Sequence, residues 1–223
     1  MIIGPLLLSA ALAVRQPPAP SPPIRRAYGQ VSLFVSHHPA NGDTYPPVDA
    51  RLGGDAWTLS AGAGGWLSRS IGLEGEIVYG GLVSAPQQRR PVLTRYYFTE
   101  DYIAQNRDVL LNELVRYRPG GGGKLQIVAG SGLAVTTARE ASGVSTSVPP
   151  TPVYGPTQLP DLSTTLHAFT ITGGLDATLP VSSRVALTPT FRLRWIRRPV
   201  GGASGWNGIG PYVFQFGVGI RIE

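Results

Sequence analysis

Residues 208–223 read GIGPYVFQFGVGIRIE, and from Tyr212 onward every second residue is apolar or aromatic: Tyr212, Phe214, Phe216, Val218, Ile220, Ile222. Between them stand Val213, Gln215, Gly217, Gly219, Arg221 and Glu223. A period of two is the side-chain repeat of an extended strand. In a water-soluble sheet the apolar face meets a core and the other face meets water. Here the second face is small, glycine-rich and carries an arginine. Which of the two faces is wet decides the fold.

The alternation recurs upstream. YGQVSLFVSHH (28–38) sets Val31, Leu33 and Val35 against Gln30, Ser32 and Ser36. DAWTLSAGAGGWLS (55–68) sets Trp57, Leu59, Ala61, Ala63 and Leu67 against Thr58, Ser60, Gly62 and Gly64. IGLEGEIVYGG (71–81) sets Ile71, Leu73, Ile77 and Tyr79 against Glu74 and Glu76. Residues 124–138 set Leu125, Ile127, Ala129, Leu133 and Val135 against Lys124, Gln126, Gly130, Gly132 and Thr136. TTLHAFTITGGLDATL (164–179) opposes Phe169, Ile171, Leu175 and Leu179 to Thr170, Thr172 and Asp176. RVALTPTFRLRWI (184–196) opposes Val185, Leu187, Phe191, Leu193 and Trp195 to Arg184, Thr188, Arg192 and Arg194. One segment is ambiguous. RDVLLNELVRY (107–117) has an apolar face of Val109, Leu111, Val115 and Tyr117 that also carries Glu113, and it reads equally as a helix. Its neighbours on both sides read as strands, and the short turn 120–123 joins it to the next one, so it counts as the eighth strand.

Composition agrees with a β protein of unusual surface. The chain holds 29 Gly and 21 Pro, which opposes a helical bundle, and no Cys, which excludes a disulfide framework and a thiolate metal cluster. Charged residues are 14%, against about a quarter in soluble domains. The net charge of +6 is scattered and not gathered into a patch with interleaved aromatics, so no nucleic-acid partner is expected.

Residues 1–13, MIIGPLLLSAALA, have the apolar run and the Ala11-Leu12-Ala13 ending of an export signal, and are too short to span a bilayer as a helix. The usual basic n-region is missing, which leaves a start upstream of Met1 open. Residues 14–25 form a proline-rich flexible linker with no means of building a core. The folded domain is expected over 26–223. No other apolar run approaches the ~18–20 residues of a transmembrane helix.

Short turns (68–70, 120–123, 181–183) alternate with four long segments (39–54, 80–105, 139–162, 197–207) rich in Pro, Gly, Ser and Asp. An up-and-down barrel in an outer membrane sorts its connections this way, with tight turns on the periplasmic side and long loops outside. In hydrocarbon no water satisfies a stray backbone group, so the sheet must close. Turning Arg184, Arg192 and Arg194 to lipid would cost about 2–4 kcal/mol each near the midplane, enough together to consume a stability of about 5–15 kcal/mol. The apolar face therefore points outward, and the fold class is all-β: a closed eight-stranded antiparallel up-and-down transmembrane β-barrel. Trp57, Tyr79, Trp195 and Tyr212 are expected at its interfaces. Eight strands leave an interior that side chains fill. Glu74, Glu76, Asp108, Asp176, Arg116, Arg118, Lys124, Arg184, Arg192, Arg194 and Arg221 are expected to pair inside as a plug, with Glu74 and Glu76 facing Arg116 and Arg118. A gated ion path is the functional alternative.

WLSRSIGLEGEIVY (66–79) and the aromatic final strand PYVFQFGVGIRIE (211–223) resemble the small outer-membrane β-barrel domains of Gram-negative bacteria, OmpA-like, OmpX-like and opacity-type. The likeness runs from about Tyr28 to Glu223. It implies location in the bacterial outer membrane, contact with its lipid and lipopolysaccharide, and handling by periplasmic chaperones and the barrel-assembly machinery. It also implies a surface ligand for the extracellular loops. Such barrels commonly finish on an aromatic residue, whereas this chain finishes Arg-Ile-Glu, and no peptidoglycan-binding domain is expected after it.

Catalysis finds little support. Lipid-modifying barrels would place His, Ser and a carboxylate at the rim; the candidates are Ser36, His37 and His38, or Ser163 and His167, but His167 is followed by Ala168 and Phe169 and so lacks the His-x-Ser spacing of lipid A deacylases. Asp43, Asp49 and Asp55 lack calcium-loop spacing, and no Gly-x-Ser-x-Gly elbow occurs. No catalytic, cofactor or metal residue is assigned. The expectation is a non-enzymatic barrel with four long loops and a structural or adhesive role. The alternatives are a narrow pore and a soluble lipocalin-like binder with its aliphatic face inward.

Overall fold

The computed structural model describes residues 27–40, 53–89, 92–93, 96–121, 124–148, 155–197 and 210–223. The expected leader and linker, Asp43, Asp49, and most of the segments 39–54 and 197–207 lie outside the described residues. Twelve strands follow in order: β1 Ala27–His38, β2 Gly54–Trp66, β3 Ile71–Tyr79, β4 Val83–Arg89, β5 Val92–Leu93, β6 Tyr96–Tyr117, β7 Leu125–Val148, β8 Thr157–Gln158, β9 Leu162–Ala177, β10 Leu179–Pro180, β11 Val185–Ile196 and β12 Tyr212–Ile222. The segment 107–117, compatible with helix in the sequence, is strand. Its outward face carries Glu113 among aliphatics, and its ladders to β3 and β7 settle the matter.

Every neighbouring pair is antiparallel, and β6–β3–β2–β1–β12–β11–β9–β7 closes on itself through β6–β7. The ring thus has eight strands and no free edge, as hydrocarbon demands. Following the hydrogen-bonded line from Gly29 leads through Ala63, Gly75, Glu113, Ser131, Ile171 and Trp195 to Tyr212. On its other side Gly29 pairs with Ile222, ten residues further along β12. That stagger is the shear of the barrel, and with eight strands it tilts them by about 40°.

Burial alternates along each ring strand, but with the sense of a soluble protein reversed. Arg116, Arg194 and Arg221 are 0% exposed, while Leu133 and Phe216 are 61% exposed. The apolar face meets lipid and the polar face fills the interior. Two turns at one end use the same chemistry. Ser68 Oγ accepts the amides of Ser70 and Ile71, and Ser182 Oγ accepts those of Arg184 and Val185. Pro189 sits where β9 and β10 part. Both keep one register against β11, and the break falls opposite the residue with no N–H to donate.

Two of the four long segments are shorter as loops than the sequence implies. Residues 83–89, 96–105 and 139–148 are strand. β6 runs past the end of its ladder with β3 at Val109, and β7 past its last pair with β9 at Glu140. They stay paired with each other to Tyr97–Val148, flanked by β4 and β8. Tyr96 to Asp108 is roughly 40 Å of strand beyond the ring. A bulge at Ser142, φ 55°, shifts the β6–β7 register between Asp101 and Ile103. Pro86 lies in the outer strand β4, where a missing donor is tolerated.

Candidate functional site

The inward side chains of the ring form one polar network. Asp176 on β9 is its hub. Arg192 holds it with two bonds (Nη1–Oδ1 2.5 Å, Nη2–Oδ2 3.0 Å), Arg116 Nη1 pairs with its Oδ2, Arg221 stands 3.8 Å away, and Thr190 donates at 2.5 Å. Arg116 also grips Glu74 in a fork, Nε–Oε2 2.6 Å and Nη2–Oε1 2.9 Å. Arg221 donates to Gln30 and Gln126. Nearer the long-connection end, Arg194 binds Glu76 through Nη2 at 3.0 and 3.2 Å, Gln215 at 2.6 Å and Thr172 at 3.1 Å. Asn112 donates to Glu76, and Gln215 to Ser36. Asp108 takes a bond from Thr136 at 2.6 Å. Buried charge is tolerable when it is paired and hydrogen-bonded; Glu74, Glu76 and Asp176 are each paired with an arginine, while Arg192 Nε and Asn112 Oδ1 are left without a bond.

The network is capped at both ends. At the short-turn end Tyr28 and Trp66 stand 6.1 Å apart, with Arg221 over the Tyr28 ring at 4.8 Å and Arg118 over Trp66 at 3.9 Å. At the other end the inward positions turn apolar, where Val78, Leu110, Ala134, Ile196 and Val213 pack together. Above that layer the ribbon has its own small core, Val83, Tyr102 and Ala104 with Ala56 and Ala85. A cavity of about 230 Å³ opens at the ribbon's base between Tyr102, Glu140, Gly143, Leu159, Pro160 and Leu162.

The expected plug is present, with different partners. Glu74 meets Arg116, but Glu76 reaches across the lumen to Arg194 and not to Arg118. Arg118 falls just beyond the end of β6 and is half-buried on Trp66. Lys124 and Arg184 are exposed in the turns and take no part inside. Alternation places a residue on a face only while the strand lasts, and both lie a residue beyond its end. The inward roles of Gln30, Gln126, Gln215 and Asn112 were readable from parity alone. Tyr28 and Trp66 share that parity, and their role as a plug needed the closed ring. Trp57, Tyr79, Trp195 and Tyr212 all lie on the long-connection rim, while the opposite rim has Tyr117.

The catalytic candidates are dispersed. Ser36 turns inward to Thr58 at 2.6 Å, whereas His37 points outward with Nδ1 2.7 Å from Asp55 Oδ1. His38 is buried. Ser163 and His167 share the outer face of β9 but are four residues, about 13 Å, apart along it.

No protein-family description matches the chain, and no curated protein matches it by sequence. Among solved structures, Neisserial surface protein A (NspA) superposes with TM-score 0.43 and 11% identity, covering 88% of this chain and 96% of that one. Ail, the attachment invasion locus protein of Yersinia pestis, gives 0.48 and 8%, covering 90% and 100%. The outer membrane protein OprG of Pseudomonas aeruginosa gives 0.47 and 11%, covering 90% and 97%. The resemblance to small outer-membrane barrels read from the sequence is thus met again among the structures. At such identities no residue role transfers, and the fold stands on this chain's own strand pairing.

Proposed function

We propose that this protein is a non-enzymatic component of the bacterial outer membrane, a sealed barrel that carries a projecting sheet for contact with a partner outside the cell. The supporting observation is the interior: fully buried arginines paired with Glu74, Glu76 and Asp176 lie between an aromatic pair and an apolar layer, an arrangement that favours a closed lumen. A barrel that conducts nothing acts through its surface. The ribbon of β4, β5, β6, β7 and β8, with the start of β9 alongside β7, is the part that leaves the ring. Its strands present edges outside the hydrocarbon, where pairing groups are free to meet a ligand. Lipid and lipopolysaccharide surround the belt, and periplasmic chaperones and the assembly machinery deliver the chain.

Planar-bilayer recording tests the sealed lumen. The purified barrel is expected to give no steady conductance, and regular open steps would replace this reading with the narrow pore. The ribbon is tested by exchanging residues 83–105 and 141–160 for short Gly-Ser turns. The variant should keep its heat-modifiable folded band and lose adhesion to matrix-coated surfaces. Undiminished adhesion would remove the ribbon from the function.

A further inference from the structure

Glu113 is out of place. It lies on the outward face of β6, four residues from Tyr117 at one rim and six from Arg107 at the other. At about 3.4 Å per residue and about 40° of tilt, that is roughly 10 Å and 16 Å into an apolar band ~25 Å tall. Among the described residues it is the only ionisable side chain on the outer wall between the rims. No described group bonds it. Its ladder partners are Gly75 on β3 and Ser131 on β7. Around it the wall falls away into an open depression of about 830 Å³ floored by small residues, Ala61, Ala63, Gly75 and Ser131, and edged by Leu111, Leu133 and Phe169.

An ionisable residue set in a membrane faces a partner as a rule, because hydrocarbon offers it none. Small residues are where membrane surfaces approach closely. The two features coincide here, and the polar pair at their centre is self-complementary. Glu113 is chiefly an acceptor, and Ser131, directly opposite it, carries a hydroxyl that donates. A two-fold interface brings each patch against its own copy, residue i to j and j to i. With the axis along the membrane normal, the two side chains lie at nearly one depth, so each Glu113 meets the other copy's Ser131. From this geometry we infer that the β2–β3–β6–β7 wall is a dimer interface: a second copy of this chain covers the depression, with reciprocal Glu113–Ser131 hydrogen bonds at its centre. The inference rests on the lipid-facing assignment of the outer wall.

The chain has no cysteine, so a single introduced thiol reports alone. In phosphatidylethanolamine/phosphatidylglycerol vesicles, oxidised L133C, which leaves Glu113 and Ser131 intact at the same depression, should form a disulfide dimer at least ten-fold more readily than V218C on the far side of the ring. Adding E113L should cut that yield at least ten-fold, while E113Q, which keeps the acceptor, should preserve most of it. Without any thiol, sedimentation equilibrium in detergent should give a dimer for the chain and a monomer for E113L. Equal cross-linking at both sites, or a monomer throughout, overturns the interface. So does a monomer that retains a lipid by native mass spectrometry and loses it in E113L, which would give the groove to lipid. A heat-modifiable band in every variant separates failure of the dimer from failure of the membrane barrel.

Discussion

Asp176 is fully buried, held by Arg116 and Arg192, and lies 3.8 Å from Arg221. Removing one partner of a buried pair costs about 3–5 kcal/mol, because the others stay charged and unmatched. Asp176→Asn should therefore lower the unfolding free energy of the vesicle-embedded barrel, read from its urea titration, by that order. Glu76→Gln should cost less, since Arg194 keeps Gln215 and Thr172. At this scale the sequence was partly legible. Parity placed Asp176, Glu76, Arg116, Arg192, Arg194 and Arg221 inside. It could not pair Glu76 with Arg194, 118 positions away, because that contact crosses the lumen. Glu113 was visible as the one charge on an apolar face, yet its depth and the small residues around it belong to three neighbouring strands.

Elements are governed by backbone bonds. The ribbon segments 83–89 and 139–148 are rich in Ser, Thr, Ala and Gln and show no apolar alternation. They become strands because β6 offers each of them a ladder. That is why these stretches read as loops. At the ribbon's base Arg139 Nη2 donates to Asp161 Oδ2 at 2.5 Å, and Ser142 N to Oδ1 at 3.1 Å. These two donors hold the Asp161 carboxyl below its ordinary range. A depressed acid lends its support at pH above its unfolded value and loses it as pH falls through the folded one. The Ser142 amide should accordingly stay protected from hydrogen exchange at neutral pH and lose protection only below the ordinary carboxylate range. In Asp161→Asn that acid step should vanish; an unchanged step would assign it to another group.

For the molecule as a whole, the governing fact is which surface is dry. Spin labels at Leu187 and Phe216, both outward, should be relaxed by lipid-dissolved oxygen and shielded from aqueous nickel. The opposite pattern would make this a soluble barrel with its faces exchanged, and the ribbon and dimer readings would fall with it. Closure also explains the sorting of connections. An antiparallel ring of eight returns the chain to one rim after each hairpin, so the tight Ser-capped turns gather at one end and the ribbon rises from the other.

The amino-acid sequence by itself determined the alternation, the number of ring strands and the sidedness, because a two-residue period is local and the cost of arginine in lipid leaves one solution. Only the tertiary structure decided the stagger of ten residues, the partners across the lumen, the caps at its ends and the extension of β6 and β7. Those depend on how the sheet closes, and closure brings together residues that no local pattern relates.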